Sequence, residues 1–261
     1  MNSNSILRFA LLGAAAMTFL ACAEDDEEMM DGSGEGSGME TAGEFQIRVT
    51  HLSGDAPAID VYAGDAATPS VPGLTFGDGT GYLTLPAGVD YTFNVRVAGS
   101  DPTSDPVLVQ EASPLDGDVL NVLAIGRLGG VPEPLETTVI VEDLTAPMEG
   151  MIRVQAVHAA PSAGEVDIYN IPTEGDPVQL VPDLAYGTAS GYLEVPAGSY
   201  QLGIDINNDP GTLELVFSTS PIETGAILNL IAINNEAGDA VRLLIQDANG
   251  NEINLAADGA N

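Results

Sequence analysis

The chain has 261 residues, 39 of them Asp or Glu and six Arg, with no Lys, no Trp, two His and one Cys; its formal net charge is −33. So anionic a chain repels nucleic-acid phosphates, which argues against a nucleic-acid partner. The missing Lys excludes Schiff-base chemistry and a phosphate-binding lysine, and a single Cys excludes an intrachain disulfide or a multi-Cys zinc site.

Residues 1–21 read as a secretory signal. Arg8 is the only charge, and the thirteen residues from Phe9 to Ala21 are apolar, small or weakly polar. That length suits a signal h-region and is short for a bilayer span. The run ends Phe19-Leu20-Ala21-Cys22, which resembles a bacterial lipoprotein cleavage site, with Phe19 where Leu is usual. The resemblance implies that Cys22 becomes the new N-terminus and carries acyl chains, so the membrane is one partner. Ala23 and the acids that follow resemble the lipoproteins sent to the outer membrane or the cell surface of Gram-negative bacteria.

Residues 22–44 are predicted to be a disordered tether. They hold nine acids and the glycines Gly32, Gly34, Gly36 and Gly38, with no helical or strand periodicity. A flexible chain of this length spans on the order of 25 Å.

From residue 45 the sequence matches itself. His51–Tyr62 (HLSGDAPAIDVY) lies over His158–Tyr169 (HAAPSAGEVDIY), and Phe76–Gly88 (FGDGTGYLTLPAG) over Tyr186–Gly198 (YGTASGYLEVPAG). The period is domain-sized, so two domains are expected, 45–148 and 150–258. The first copy is predicted to form strands over 45–51, 58–63, 81–85, 91–98, 107–112, 119–126 and 137–142. The second is predicted to form them over 152–158, 166–170, 179–185, 191–195, 200–206, 213–218, 227–233 and 241–246. Alternation is clear at Phe93, Val95 and Val97. The turn signals Pro86-Ala87-Gly88, Pro196-Ala197-Gly198 and Asn249-Gly250 fall between strands. No segment past the signal carries a helical stripe. The expectation is an all-β chain of two tandem immunoglobulin-like or related Greek-key sandwiches.

The run from Arg48 to Tyr62 (RVTHLSGDAPAIDVY), then Gly81-Tyr82-Leu83, then Pro-Ala-Gly and a Tyr, resembles the bacterial domain-of-unknown-function 4397 family. The second copy keeps His158, Pro161, Asp167 and Tyr169 but lacks the Asp-Ala-Pro. The resemblance implies a secreted or surface β-sandwich module, often in tandem, and brings no assigned activity.

The candidate chemistry is sparse. His51, Asp60 and Tyr62 recur as His158, Asp167 and Tyr169. A hydrolase reading would pair His51 with Asp60 and use Ser53 as nucleophile, but Ala160 replaces Ser53 in the second copy and no G-x-S-x-G elbow is present. The structural reading has each imidazole bonding a loop carbonyl or the Asp at a strand end. Weak calcium candidates are Asp205 and Asp209, and the loop Asp247, Asn249, Asn251, which begins like an EF-hand but lacks its sixth-place Gly and twelfth-place Glu. Tyr91 and Tyr200 are expected to tie their corners through the hydroxyl. Asn121 and Asn229, inside apolar strands, are expected to bond a neighbouring loop. No cofactor is expected beyond the lipid. The function read from these residues is a non-catalytic, lipid-anchored lipoprotein with two modules for binding, adhesion or envelope structure and an unknown envelope or extracellular partner. The alternatives are an envelope hydrolase using His51 and Asp60, and a passive spacer.

Overall fold

The computed structural model describes residues 43–206, 212–238, 240–255 and 257–258. The expected signal, Cys22, the tether up to residue 42 and Asp209 lie outside the described residues. The described residues form strands and turns, with no helix.

The first sandwich contains β1 (Glu44–His51), β2 (Ile59–Ala63), β3 (Val71–Leu74), β4 (Leu83–Pro86), β5 (Tyr91–Val97), β6 (Leu108–Ala112), β7 (Val119–Ile125) and β8 (Glu136–Val141). Its sheets have the orders β4-β1-β7-β8 and β3-β2-β5-β6. The second contains β9 (Met151–Ala159), β10 (Val166–Asn170), β11 (Val178–Leu184), β12 (Leu193–Pro196), β13 (Gln201–Asp205), β14 (Leu215–Ser218), β15 (Ile227–Asn234), β16 (Val241–Asp247) and β17 (Glu252–Leu255). Its sheets run β12-β9-β15-β16-β17 and β11-β10-β13-β14. In each copy the first strand lies parallel to the seventh, Ile47 opposite Leu120 and Val154 opposite Leu228, while the other pairings are antiparallel. These are two tandem Greek-key β-sandwiches with one topology.

Alternation explains which face goes where. In β1, Phe45, Ile47 and Val49 enter the first core, and Leu120, Val122 and Ala124 of β7 join them. The opposite faces are also buried: Arg48, Thr50, Asn121, Leu123 and Ile125. A strand apolar on both faces needs cover on both sides, and the second sandwich supplies it. Leu52, Leu123, Ile125 and Ile140 form one cluster with Val157, Ala159, Ile231, Ile233 and Leu244. The inner sheets therefore pack face to face, giving four layers in all. Arg48 lies by Asp247 and Gly54 by Asn235, so β1 and β15 run in the same direction across this interface.

Two strands, β3 and β17, were not expected from sequence. Val71-Pro72-Gly73-Leu74 carries a Pro and a Gly, residues that lower strand propensity but are tolerated at an edge with a bulge. β17 is four residues long and follows the Asn249-Gly250 turn, where Gly250 has φ 82. The strand expected from Gly81 begins at Leu83, because residues 75–82 cross between sheets.

Candidate functional site

The repeated motif residues hold the sandwiches together. His51 closes β1 with 0% exposure. Its Nε2 lies 3.1 Å from the Pro57 carbonyl, and its Nδ1 accepts the Ser53 N–H at 3.4 Å. His158 repeats this with Gly164 O at 2.7 Å and Ala160 N at 3.3 Å. An Nδ1 that accepts leaves the proton on Nε2, so both rings are neutral donors to a loop carbonyl. Burial lowers the pKa of each, against the raising effect of that carbonyl. The loop-carbonyl half of the expectation fits this geometry and the Asp half does not.

Asp60 sits on the outer face of the other sheet. Its Oδ1 accepts the Gly73 N–H at 2.7 Å and its Oδ2 the Gly99 N–H at 2.9 Å. Asp167 likewise accepts the Asp183 N–H at 2.6 Å. Gly73 (φ 63) and Asp183 (φ 46) are the left-handed residues of matching bulges on β3 and β11. The repeated Asp of each copy thus pins a bulge. Tyr62 stacks under Arg96, whose Cζ is 5.0 Å from the ring centroid, and Tyr169 hydroxyl meets Asp167 at 3.4 Å. Ser53 hydroxyl donates to Asp55 at 3.3 Å rather than to His51. His51, Asp60 and Ser53 therefore form no proton relay. Tyr91 and Tyr200 donate to the carbonyls of Pro86 and Pro196, the corner ties expected of them.

The structure gathers a second set of residues between the sandwiches. Glu142 follows β8 and is buried. Its Oε1 accepts Arg48 Nη2 at 2.5 Å, Asn121 Nδ2 at 3.3 Å and Asn229 Nδ2, and its Oε2 accepts the Tyr82 hydroxyl. Asn121 Nδ2 also donates to Gln246 Oε1 at 2.7 Å, and Gln246 Nε2 donates to Thr50 Oγ1 at 2.9 Å. Arg48 lies over the Tyr82 ring at 4.9 Å and Arg153 over the Tyr192 ring at 4.9 Å. Burial, then the Glu142 charge, pushes the Tyr82 hydroxyl far up. Asp143, next in the chain, is held at about 2 by the Thr145 side chain and N–H and by Arg153. Asn121 and Asn229 thus bond across the interface, which corrects the expectation of a neighbouring loop. The sequence signal was available: each copy places one Asn amid an apolar central strand.

Of the calcium candidates, the 247–251 loop bonds onto itself. Asp247 turns its carboxylate onto its own loop, taking the Asn249 and Asn251 N–H groups at 2.8 Å each and the Asn251 amide at 2.8 Å. Burial raises its pKa, but the Asn251 and Asn249 bonds outweigh that and leave it lowered. Its carbonyl accepts Arg48 Nη1 at 2.7 Å, and Gly250 packs on Thr80 and Gly81 of the first sandwich. This loop is a docking turn. Asp205 is buried opposite Asp167 on adjacent strands. Among the described residues no group of three His, Cys, Asp or Glu is placed to hold a metal ion.

Fold and site define a tandem Greek-key module built around structural ties. A family model described as "Domain of unknown function (DUF4397)" matches residues 45–169 and 173–257, and the chain belongs to that family. The first matched segment runs past the first sandwich to the end of β10. No curated protein matches the chain. Among solved structures it is similar to the Bacillus anthracis TIE protein at 13% identity, covering 72% of this chain and 33% of that one, with a TM-score of 0.22. The chain thus spans about a third of that protein's length. A streptococcal virulence factor studied for alpha-glucan binding matches at 13% identity, over 76% of this chain and 95% of that one, with a TM-score of 0.26.

Proposed function

We propose that this chain is a non-catalytic envelope module, anchored through lipid on Cys22 and held off the membrane by residues 23–44. The observation that carries the non-catalytic reading is the use made of His51 and Asp60. The imidazole nitrogens are engaged with backbone at a strand end, both carboxylate oxygens take backbone N–H groups, and the two side chains lie on different sheets. A general base needs a free lone pair within reach of a nucleophile's proton, and His51 Nδ1 faces a backbone N–H.

The anchor reading is supported by the position of the single Cys, directly behind a thirteen-residue apolar run. It also suits the chain path. The polypeptide enters β1 at the end of the unit where the 142–150 connection crosses to β9, so the tether leaves from one end. The loops at 52–58 and 126–135 lie at the other end. Two acyl chains are needed for stable anchoring, each buried CH₂ contributing about 0.8 kcal/mol. Metabolic labelling with palmitate tests this. Label in the full-length chain that disappears in Cys22→Ala is expected; equal label in both would overturn the anchor.

A further inference from the structure

The two copies share the topology of their first eight strands, and one corner differs in charge. Where β10 and β14 end and β13 begins, beside the Pro196-Ala197-Gly198 turn, the second sandwich has a groove of about 570 Å³. That volume is in the range of small-ligand sites. Its only titratable side chain is Tyr200, in a chain with 39 acids. Asn170, Thr173, Ser199 and Gln201 line it, and among the described residues none of these side chains has a hydrogen-bond partner. Thr219 also lines it, its Oγ1 accepting the Tyr200 N–H at 2.9 Å. Tyr200 is in the wall, with its ring oriented by the bond from its hydroxyl to Pro196 O.

The first copy carries charge at the matching places. Gln201 pairs with Ser218 as Thr92 pairs with Glu111. Asp65 follows Ala63 and Gly64 where Pro172 follows Asn170 and Ile171. Asp90 precedes Tyr91, where the second copy is one residue shorter and has Ser199. Three carboxylates around one corner have become neutral around the other. Acid is not absent nearby: Ser218 Oγ donates to Asp258 at 2.7 Å, on the rim.

We infer that this groove binds an uncharged oligosaccharide. Amides and hydroxyls without internal partners offer both donors and acceptors, which is what sugar hydroxyls require. The surrounding acidic surface repels polyanions, so a neutral glycan is selected over an anionic one. The groove lies at the end of the second sandwich where β9 begins. The inference deepens the reading of the sandwich pair as a non-catalytic binding module, and it does not depend on the anchor.

Calorimetric titration of the full chain in detergent with maltohexaose, cellohexaose, xylohexaose and chitohexaose tests it, with polygalacturonate as the anionic control. Saturable binding of at least one neutral hexaose is expected, with no polygalacturonate binding. Asn170→Ala, which removes one hydrogen-bonding side chain, should weaken binding about tenfold. Gln201→Glu, which returns charge to the corner, should weaken it more, and Asp90→Ala on the first copy should leave it unchanged. Thermal melts of the three variants show whether each is folded. Failure of all four hexaoses to bind, equal binding by polygalacturonate, or folded groove variants that bind like the parent would overturn the inference. Palmitate labelling is read separately, so loss of either result leaves the other standing.

Discussion

His51 and His158 each donate to a loop carbonyl from a fully buried ring, and burial depresses both pKa values below the ordinary 6.5. The sign of the linkage follows. Between the depressed folded value and the unfolded value the unfolded chain binds the extra protons. The stabilisation is therefore complete above about pH 6.5 and is lost as pH falls through the folded pKa. Glu136 and Glu252 act oppositely: burial raises both, so folding gains as they protonate in acid. Urea unfolding at pH 7.5 and 5.0 should show the parent losing stability at the lower pH, and His51→Asn with His158→Asn should flatten that dependence. An equal pH slope in the double variant would exclude the histidines as its source. The importance of these residues was legible from their recurrence in both copies. Their bonding was legible only in part, because Asp60 follows His51 by nine residues yet points from a different sheet. Glu142 was not legible, since its partners Arg48 and Asn229 lie 94 and 87 residues away.

At the scale of elements, strands with alternating or continuous apolar residues read correctly, as in β5, β7 and β15. The strands missed were short edges whose pairing comes from neighbours rather than from their own residues. Val71–Leu74 forms β3 because Asp60 fixes the bulge at Gly73, a tertiary cause invisible in four residues. The Asp247–Asn251 loop looked like a cation site because its side chains are oxygen-rich. The Asp247 carboxylate takes local N–H groups, as in Asx turns. Removing a carboxylate that accepts several such bonds costs about 1–3 kcal/mol. Asp247→Ala should therefore lower the urea midpoint, while millimolar calcium or chelator leaves the parent's melting temperature unmoved. A calcium-dependent rise in the parent, absent from Asp247→Ala, would restore the cation reading.

Across the whole molecule, a charge of −33 opposes bringing two acidic sandwiches together. The interface answers this with a buried Arg–carboxylate pair, Arg48 with Glu142, and with an apolar cluster that includes Leu123, Ile125, Ile231 and Ile233. Taking both charges out of water is costly in itself, so the pair contributes less to net stability than to matching one sandwich against the other. Breaking it from one side is different. Glu142→Ala leaves Arg48 without its carboxylate and Asn121 and Asn229 without a shared acceptor, a loss of about 3–5 kcal/mol. That loss falls on both sandwiches, because among the described residues the second faces of the inner sheets β1-β7 and β9-β15 cover each other. Thermal unfolding of the parent should therefore be one transition whose calorimetric and van't Hoff enthalpies agree. Glu142→Ala should lower its midpoint, while Tyr82→Phe, which leaves the ion pair in place, should lower it less. Two resolved transitions in the parent, one unmoved by Glu142→Ala, would mean that each sandwich folds independently and that the buried pair orients them without coupling them.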